Sequence, residues 1–202
     1  MTEHGLHEIL ERSKALGFLG PGDIDDHIRH ARGFAELVVG EVDVLDLGSG
    51  GGLPGLVVAA TSPALRLTLL DASERRAAFL RDAIRQLGWA ERLTVELGRA
   101  EELARAPRLR ERFPVVMARS FGAPAVTAEC AAAFLQLDGR LLVSEPAASD
   151  DRWPAEGLAP LGLVPVALHV LEHTTVREMR RTKVGIDAVP RRVGVPARRP
   201  LF

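Results

Sequence analysis

The sequence predicts an α/β fold built on a mostly parallel sheet of seven strands that ends in an antiparallel hairpin. Short apolar runs of strand length alternate with segments of helical period along most of the chain. The first apolar run passes directly into a glycine-rich loop, as expected for a strand-to-helix turn that approaches a ligand. The last two runs, 163–172 and 175–184, are joined by two residues, too few for a parallel crossover.

The predicted elements follow one another in a regular order. Two helical segments, residues 6–18 and 24–39, come first, each with apolar residues on one face. Pro54 marks the start of a helix after the glycine loop, and Ser73 and Gly88 mark the start and end of another. The other predicted elements are strands near residue 44 and at 65–70, 92–97, 114–118 and 139–144, and helices at 100–105 and 124–136.

A length of 202 residues fits one domain with its own core. We expect a single domain over residues 1–202, with an N-terminal helical extension (1–40), a Rossmann-like core (41–185) and a basic Pro/Arg tail (186–202). The single cysteine, Cys130, lies in an alanine-rich helical segment and is expected to be a buried apolar residue. Because the sequence has no signal-peptide pattern and no apolar run of membrane length, it predicts a cytoplasmic protein.

The net charge of −1 hides an uneven distribution of charge along the chain. Residues 177–202 carry eight arginine or lysine residues against two acidic residues, a net charge of +6, which leaves −7 for residues 1–176. Basic side chains near phosphates release counterions and gain affinity, so this asymmetry indicates contact with a polyanion. A solvated tail is the alternative.

The most informative part of the chain is the apolar run that ends in Asp46 and the glycines that follow it. Two interpretations compete. The residues Gly50-x-Gly52-x-x-Gly55 fit the dinucleotide fingerprint. The residues Asp46-x-Gly48-x-Gly50-x-Gly52 fit the pattern of Rossmann-like methyltransferases that use S-adenosylmethionine, in which the acid helps to hold the methionine part of the cofactor.

A second acid, Asp71, follows the apolar run 65–70, where either cofactor class needs a carboxylate for the adenosine ribose hydroxyls. Alone, Asp71 is equally consistent with a helix N-terminal cap. Together with Asp46 it favours a cofactor site. The closing antiparallel hairpin favours a methyltransferase, because dinucleotide-binding dehydrogenases usually keep their sheet parallel. S-Adenosyl-L-methionine is therefore the predicted cofactor, and a nicotinamide-dependent oxidoreductase is the less favoured alternative.

Several further segments within residues 27–202 form a recognisable set. Besides the glycine loop, they are Leu69-Leu70-Asp71, Arg75-Arg76, Phe79-Leu80-Arg81, Arg99-Ala100-Glu101-Glu102, Ala118-Arg119-Ser120-Phe121-Gly122 and Pro190-Arg191-Arg192-Val193-Gly194-Val195-Pro196. This set resembles the small-subunit ribosomal RNA guanine-N7 methyltransferases, the family known as RsmG or GidB. The glycine loop is common to many methyltransferases, whereas the segment around Arg119 and the tail motif are much more specific to this family.

The pattern and the resemblance together imply a cofactor site and a substrate site. Arg119 and Arg99 would bind the target guanine or its phosphate and are the predicted catalytic residues. The predicted cofactor-binding residues are Asp46, Gly48, Ser49, Gly50, Gly52, Pro54, Asp71, Ala72, Ala100, Glu101 and Arg119.

The weaker substrate candidates lie beyond the fourth strand and in the basic end of the chain. Phe121 would stack on a base, although a core aromatic residue is an equal alternative. Arg177 is also consistent with the solvated face of its strand. The full set of substrate candidates is Phe121, Arg177, Arg191 and Arg192.

Two segments depart from the family pattern. The family's Arg-His-x-x-Asp-Ser is reduced to HIRHA at residues 27–31, without the acid and the serine. A family Lys-Gly after the fifth strand is replaced by Glu145-Pro146, which exchanges a positive charge for a negative one. These departures indicate a divergent member or a paralogue.

Two alternative functions stay open: a small-molecule methyltransferase on the same fold, and a cofactor-sensing RNA-binding protein without turnover.

The implied chemistry needs no general base. Guanine N7 carries a lone pair and no proton, so in-line methyl transfer requires only positioning and electrostatic fit. The six histidines show no metal-ligand spacing, and we interpret His27 and His30 as a coincidence of spacing. The expected partner is ribosomal RNA or the small ribosomal subunit, with no metal and no membrane.

Overall fold

A computed structural model describes residues 3–40, 43–146 and 152–202. The predicted boundary between the N-terminal extension and the core includes residue 41, which lies outside the described residues. The strands are β1 (Asp43–Leu47), β2 (Arg66–Asp71), β3 (Leu93–Leu97), β4 (Phe113–Ala118), β5 (Leu135–Glu145), β6 (Leu163–Val170) and β7 (Thr175–Arg181). The helices are α1 (Glu3–Ala15), α2 (Ile24–Leu37), α3 (Gly55–Thr61), α4 (Glu74–Leu87), α5 (Ala100–Leu103), α6 (Pro124–Ala132), α7 (Ala155–Leu158) and α8 (Val195–Arg198), with a 3₁₀ helix at Ala159–Leu161.

All of these strands belong to one sheet, in the order β3-β2-β1-β4-β5-β7-β6. The pairs from β3 to β5 are parallel, whereas β7 is antiparallel to both β5 and β6. The predicted mostly parallel, seven-stranded sheet with a closing hairpin is confirmed. Because the strand order reverses between β1 and β4, a crevice is expected at the carboxyl ends of these two strands, where open α/β sheets bind ligands.

The sheet separates two apolar clusters. On one face, α1 to α4 cover the strands and bury side chains such as Phe34, Leu56 and Leu80. On the other face, α5 to α7 do the same with Phe134 and Trp153. With both faces covered, the carboxyl edge of the sheet is the place where polar groups can meet a ligand. None of the helices in the described ranges is long and apolar enough to cross a membrane.

Helix α4 begins and ends where the sequence predicts. The Ser73 side chain accepts a hydrogen bond from the Arg76 amide at 3.5 Å, as an N-cap residue does. Gly88 takes a left-handed φ of 69° just after the last turn, a conformation that favours glycine. Local sequence signals are sufficient here because both ends of the helix are satisfied by neighbouring residues.

The region after α6 differs from the predicted helix over 124–136. The helix ends at Ala132, and β5 begins at Leu135 instead of residue 139. The buried guanidinium of Arg181 donates to the Leu135 carbonyl and pairs with Glu111 at 2.6 Å, which holds this segment in the sheet. The prediction was wrong because Phe134 and Leu135 are buried by tertiary packing, and apolar residues there extend the helical pattern past its end.

The C-terminal tail packs against the core. Arg110 donates to the carbonyls of Ile186 and Val189, both at 3.0 Å. The Arg191 guanidinium binds both carboxylate oxygens of the buried Glu129 side chain. A buried carboxylate needs such a partner. These contacts hold part of the tail on the core, while Arg192, Arg198 and Arg199 are exposed to solvent.

Helix α2 packs closely on the turn between β6 and β7. A Cβ atom added at Gly33 would lie 2.1 Å from the Thr174 methyl group and 3.1 Å from the Leu171 side chain. Thr174 is buried, and its hydroxyl lies 3.0 Å from His30 Nε2, so turning the side chain away would break that hydrogen bond. Glycine is thus required for the approach of the extension to the hairpin.

We expect Gly33→Ala to lower the free energy of unfolding by about 1–3 kcal/mol, because the added methyl group overpacks this contact. Gly5→Ala is the matched control, since a Cβ atom there meets nothing within 4 Å. Alanine also favours a helix interior. Urea unfolding of the two variants and the parent chain measures the effect, and equal stability of the two variants would contradict the close packing.

Candidate cofactor and acceptor site

The glycine loop between β1 and α3 lies at the predicted crevice. The amides of Gly48 and Ser49 both donate to the Leu70 carbonyl, at 2.8 and 2.9 Å, which ties the loop to the end of β2. Gly48 has a φ of 76°, and a Cβ atom there would lie 2.6 Å from the Phe121 ring. Only glycine satisfies both the backbone conformation and the close approach.

Asp46 is completely buried at the end of β1. Its Oδ2 accepts a hydrogen bond from the Gly55 amide at 3.1 Å, and its backbone carbonyl accepts one from the Ser49 hydroxyl at 2.9 Å. Its Oδ1 is buried and has no partner among the described residues. Burial, together with the nearby charge of Asp71, raises the pKa of Asp46 to about 7. An unpartnered buried oxygen of this kind is suited to a cationic group of a ligand.

Asp71 connects the glycine loop to the start of α4. Its Oδ2 accepts from the Gly50 amide at 2.9 Å, and its Oδ1 accepts from the Ser73 amide at 2.8 Å. The Arg76 guanidinium lies 3.8 Å away. Each carboxylate oxygen has more than one lone pair, so the group keeps acceptor capacity for ribose hydroxyls. The cap alternative considered for Asp71 is not what the structure shows, because Ser73 is the N-cap residue of α4 and Asp71 accepts only from the Ser73 amide there.

A cavity of about 290 Å³ opens at this loop. Its walls include predicted cofactor residues, and the N-terminal extension closes one side with three residues that the sequence interpretation missed. The extension is held there by the Ser13 hydroxyl, which donates to the Gly51 carbonyl at 2.9 Å. The lining residues are Phe18, Leu19, Gly20, Gly48, Ser49, Gly50, Gly51, Leu53, Arg76, Arg119 and Ser120.

Arg119 follows β4 and lies against the extension. Its Nη2 donates to His27 Nδ1 at 2.9 Å, while His27 Nε2 lies 3.2 Å from the Gly20 carbonyl. The imidazole therefore carries its proton on Nε2. The next residue, Ser120, has a left-handed φ of 55°, an uncommon conformation for serine that occurs at functional turns. The sequence interpretation considered His27 only as a metal ligand and missed its contact with Arg119. The histidine in the family pattern at this segment was the available signal.

A second cavity, of about 310 Å³, adjoins the first and shares Ser120 with it. Aromatic and charged residues line it, among them Phe121, Glu145, Arg152 and Trp153. The two cavities meet at Ser120. Because the first cavity contains the glycine loop, we call the second the acceptor-side cavity.

His30 lines the acceptor-side cavity. Its Nε2 is hydrogen-bonded to Thr174, and its Nδ1 is buried without a partner among the described residues. Burial, with the positive charge of Arg119 and the nearby His27, lowers the pKa of His30 to about 4. The imidazole is therefore neutral at pH 7 and presents a polar atom without adding charge.

Arg99, Ala100 and Glu101 lie at the start of α5, beside the tail. Glu101 Oε1 accepts from Arg99 Nη2 at 3.0 Å and from the Gly194 amide at 3.1 Å, whereas Oε2 is buried and unpartnered among the described residues. Burial alone would raise the pKa of Glu101, but these hydrogen bonds outweigh it and hold that pKa below its ordinary value. The cofactor role of this segment stays a prediction.

The remaining predicted residues have varied positions. Gly52 packs against Leu56, Pro54 precedes the first turn of α3, and Ala72 is exposed between Asp71 and Ser73. The substrate candidates Arg177, Arg191 and Arg192 line neither of the two cavities. Among the residues that the structure describes, no three histidine, cysteine, aspartate or glutamate side chains form a metal-binding group.

Residues 23–157 match the family model described as GidB, rRNA small subunit methyltransferase G. The chain belongs to the GidB family. A ribosomal RNA small subunit methyltransferase G from Roseiflexus sp. (strain RS-1) is 34% identical over 165 residues, which cover 78% of this chain and 70% of that protein. A GidB-family relative from Deinococcus radiodurans is 33% identical over 172 residues, covering 81% of this chain and 67% of that protein.

Solved structures support the fold of this GidB-family chain. An O-methyltransferase from Bacillus cereus in complex with SAH has a TM-score of 0.62 at 16% identity, covering 91% of this chain and 92% of that chain. The protein is an S-adenosylmethionine-dependent methyltransferase, as the family membership establishes. The glycine loop lines the cavity, and Asp71 binds the Gly50 amide of that loop. Asp46 keeps an unpartnered buried oxygen at the end of β1. The residues present therefore fit this cofactor, although neither carboxylate lines the cavity itself.

We expect Asp46→Asn to remove the part of the pH dependence of stability that comes from the ionisation of Asp46. The folded-state pKa of Asp46 is about 7, above its ordinary value of 3.8, so its contribution to stability is fully present below 3.8 and is lost as pH rises through 7. Asparagine keeps an oxygen for the Gly55 amide but cannot ionise. Urea unfolding between pH 4 and 8 should show that the free energy of unfolding of the variant rises relative to that of the parent chain as pH increases.

The matched control for this experiment is Asp82→Asn, because Asp82 is a partly exposed carboxylate on α4. A stability difference between Asp46→Asn and the parent chain that stays constant with pH would show that Asp46 ionises normally in the fold.

Proposed function

We propose that this enzyme methylates N7 of a guanine in small-subunit ribosomal RNA. The observation that carries the proposal is the pair of cavities that share Ser120, one at the glycine loop and one lined by aromatic and charged side chains. The relatives named ribosomal RNA small subunit methyltransferase G support an RNA acceptor. Ribosomal RNA as acceptor implies work in the cytoplasm, where ribosomal subunits are assembled.

In the proposed reaction the protein supplies positioning and electrostatics. When bound, S-adenosylmethionine supplies an electrophilic methyl group on a sulfonium. Asp46 and the glycine-loop amides would hold its methionine part, and Asp71 would hold its ribose hydroxyls. Arg119 lines the cofactor cavity and directly precedes Ser120, which lines both cavities, so its guanidinium fork is available to orient the acceptor base or its phosphate.

The acceptor-side cavity suits a nucleophile that has no proton to lose. Guanine N7 needs no general base. Of the described residues that line this cavity, His30 has a pKa lowered to about 4, and Glu145 is hydrogen-bonded to Trp153 and paired with Arg152. A guanine becomes cationic when N7 is methylated. Because His30 stays neutral, it adds no repulsion to that developing charge.

The direct test is methyl transfer to a defined acceptor. Small subunits that lack the modification, the corresponding naked rRNA and guanosine monophosphate are incubated with labelled cofactor, and the label is mapped. We expect label on one guanine of the RNA and none on RNA in which 7-deazaguanine replaces that guanine. Transfer to the 7-deaza RNA would exclude N7, and transfer to the free nucleotide alone would support a small-molecule acceptor.

Arg119→Ala should lower the rate of methyl transfer by about 10²–10³, because one preorganised donor at the reacting centre is lost. Cofactor affinity should change much less. The matched variant is Arg119→Lys, which keeps the charge but loses the two-pronged fork, so an intermediate rate is expected. Equal losses of methyl transfer and cofactor affinity in Arg119→Ala would assign Arg119 to the cofactor alone.

Asp71→Ala should weaken cofactor binding by about 1.5–3 kcal/mol, the contribution of a hydrogen bond to a charged group. Isothermal titration calorimetry with the cofactor measures this loss, and Glu91→Ala, at an exposed carboxylate between α4 and β3, serves as the control. Unchanged affinity in Asp71→Ala would show that this carboxylate only holds the Gly50 and Ser73 amides.

A further inference from the structure

A charged pair outside the predicted site residues lies at the acceptor-side cavity. Glu145 ends β5, and Arg152 follows it seven residues later in the chain. The Arg152 Nη1 atom lies 3.4 Å from Glu145 Oε2. Both residues line the cavity that adjoins the cofactor side at Ser120.

The two partners differ sharply in exposure. The Glu145 side chain is 2% exposed and the Arg152 side chain 40% exposed. Glu145 Oε1 also accepts from the indole Nε1 of Trp153 at 2.9 Å. A carboxylate this deeply buried is stable only when it is paired and hydrogen-bonded. Glu145 therefore acts as an anchor for the two neighbouring side chains, and its own oxygens are turned away from solvent.

Arg152 keeps donors for a second partner. A guanidinium has five N–H donors. Among the described residues, Arg152 forms a hydrogen-bonded ion pair only with Glu145. Its partial exposure places the charge towards the mouth of the cavity, whereas the Trp153 ring, at 2% exposure, belongs to the interior wall. An aromatic wall suits a base, and a cation nearer to solvent suits the backbone that carries the base.

We propose that Arg152 binds a phosphate of the RNA next to the acceptor nucleotide and that Glu145 positions it. This inference rests on the proposed RNA acceptor. The negative charge at Glu145 then does not repel the substrate, because it is neutralised by the arginine that it holds. Arg152 is a substrate-binding residue, and Glu145 is a positioning residue that acts through it.

The test measures RNA binding at several salt concentrations for the full chain and its variants. Arg152→Ala should weaken RNA binding by about tenfold, which corresponds to one charge-assisted hydrogen bond. It should also reduce the magnitude of the salt slope by about 0.7–0.9, the change for one phosphate contact. Cofactor affinity should stay unchanged. Arg85→Ala, a 70% exposed arginine on α4, is the matched control and should change neither quantity.

The positioning role of Glu145 needs a double-variant cycle. Glu145→Gln keeps an acceptor for the Trp153 indole but removes the charge that holds Arg152, so it should lower RNA affinity in the parent chain. In the Arg152→Gln background it should lower RNA affinity no further. This double variant leaves no unpaired buried carboxylate, so it remains testable if Arg152→Ala alone unfolds. Additive losses would overturn the positioning role.

The phosphate that Arg152 contacts is identified by replacing the phosphate on either side of the acceptor nucleotide with a neutral methylphosphonate. At one of the two linkages it should weaken binding by the parent chain and have no further effect on Arg152→Ala. If the parent chain and Arg152→Ala lose RNA affinity equally, Arg152 contacts something other than that phosphate, and the inference fails. If the parent chain methylates RNA and Arg152→Ala behaves like Arg85→Ala, this inference alone fails. If the parent chain neither binds nor methylates RNA, the proposed function fails with it.

Discussion

Two buried carboxylates that accept hydrogen bonds from backbone amides organise the carboxyl edge of this sheet. Asp46 accepts from the Gly55 amide and Asp71 from the Gly50 amide, so the ends of β1 and β2 and the start of α3 form one hydrogen-bonded unit. Burying a carboxylate is costly unless such donors are present. Glycines make these donors reachable, because other residues disfavour the backbone conformations that the loop adopts. Asp46 Oδ1 has no partner among the described residues, and Asp71 keeps acceptor capacity. Both carboxylates can therefore accept hydrogen bonds from a cofactor with a cationic group and ribose hydroxyls.

The N-terminal extension is a wall of the site as well as a cover for the core. Helix α1 ends in contact with the glycine loop through Ser13, and α2 places His27 beside Arg119 and His30 at the acceptor side. Its approach depends on Gly33, where no side chain fits against the hairpin turn. The extension, the core and the closing hairpin therefore share one functional edge. A change in the packing of α2 is expected to alter the surroundings of Arg119 directly.

Several arginine side chains of this chain form ion pairs with buried glutamate side chains of the same chain. The tail arginine Arg191 neutralises buried Glu129, Arg99 lies against buried Glu101, and Arg152 lies against buried Glu145. A count of basic residues along the sequence therefore overstates what the tail offers to a polyanion. What matters for an RNA partner is the part of each guanidinium that remains exposed after its internal partner is satisfied.

Although it missed the short helices α7 and α8, the sequence alone determined the fold class, the cofactor class, the family and the order of the strands and of helices α1 to α6. These follow from local signals, namely apolar period, helix caps, the glycine loop and short motifs, and each is contained within a few neighbouring residues. Tertiary structure decided what far-separated residues do. His27 meets Arg119 across 92 positions and Arg181 holds Leu135 across 46 positions. Contacts of this kind join distant segments, and no periodic pattern or motif in one segment encodes them.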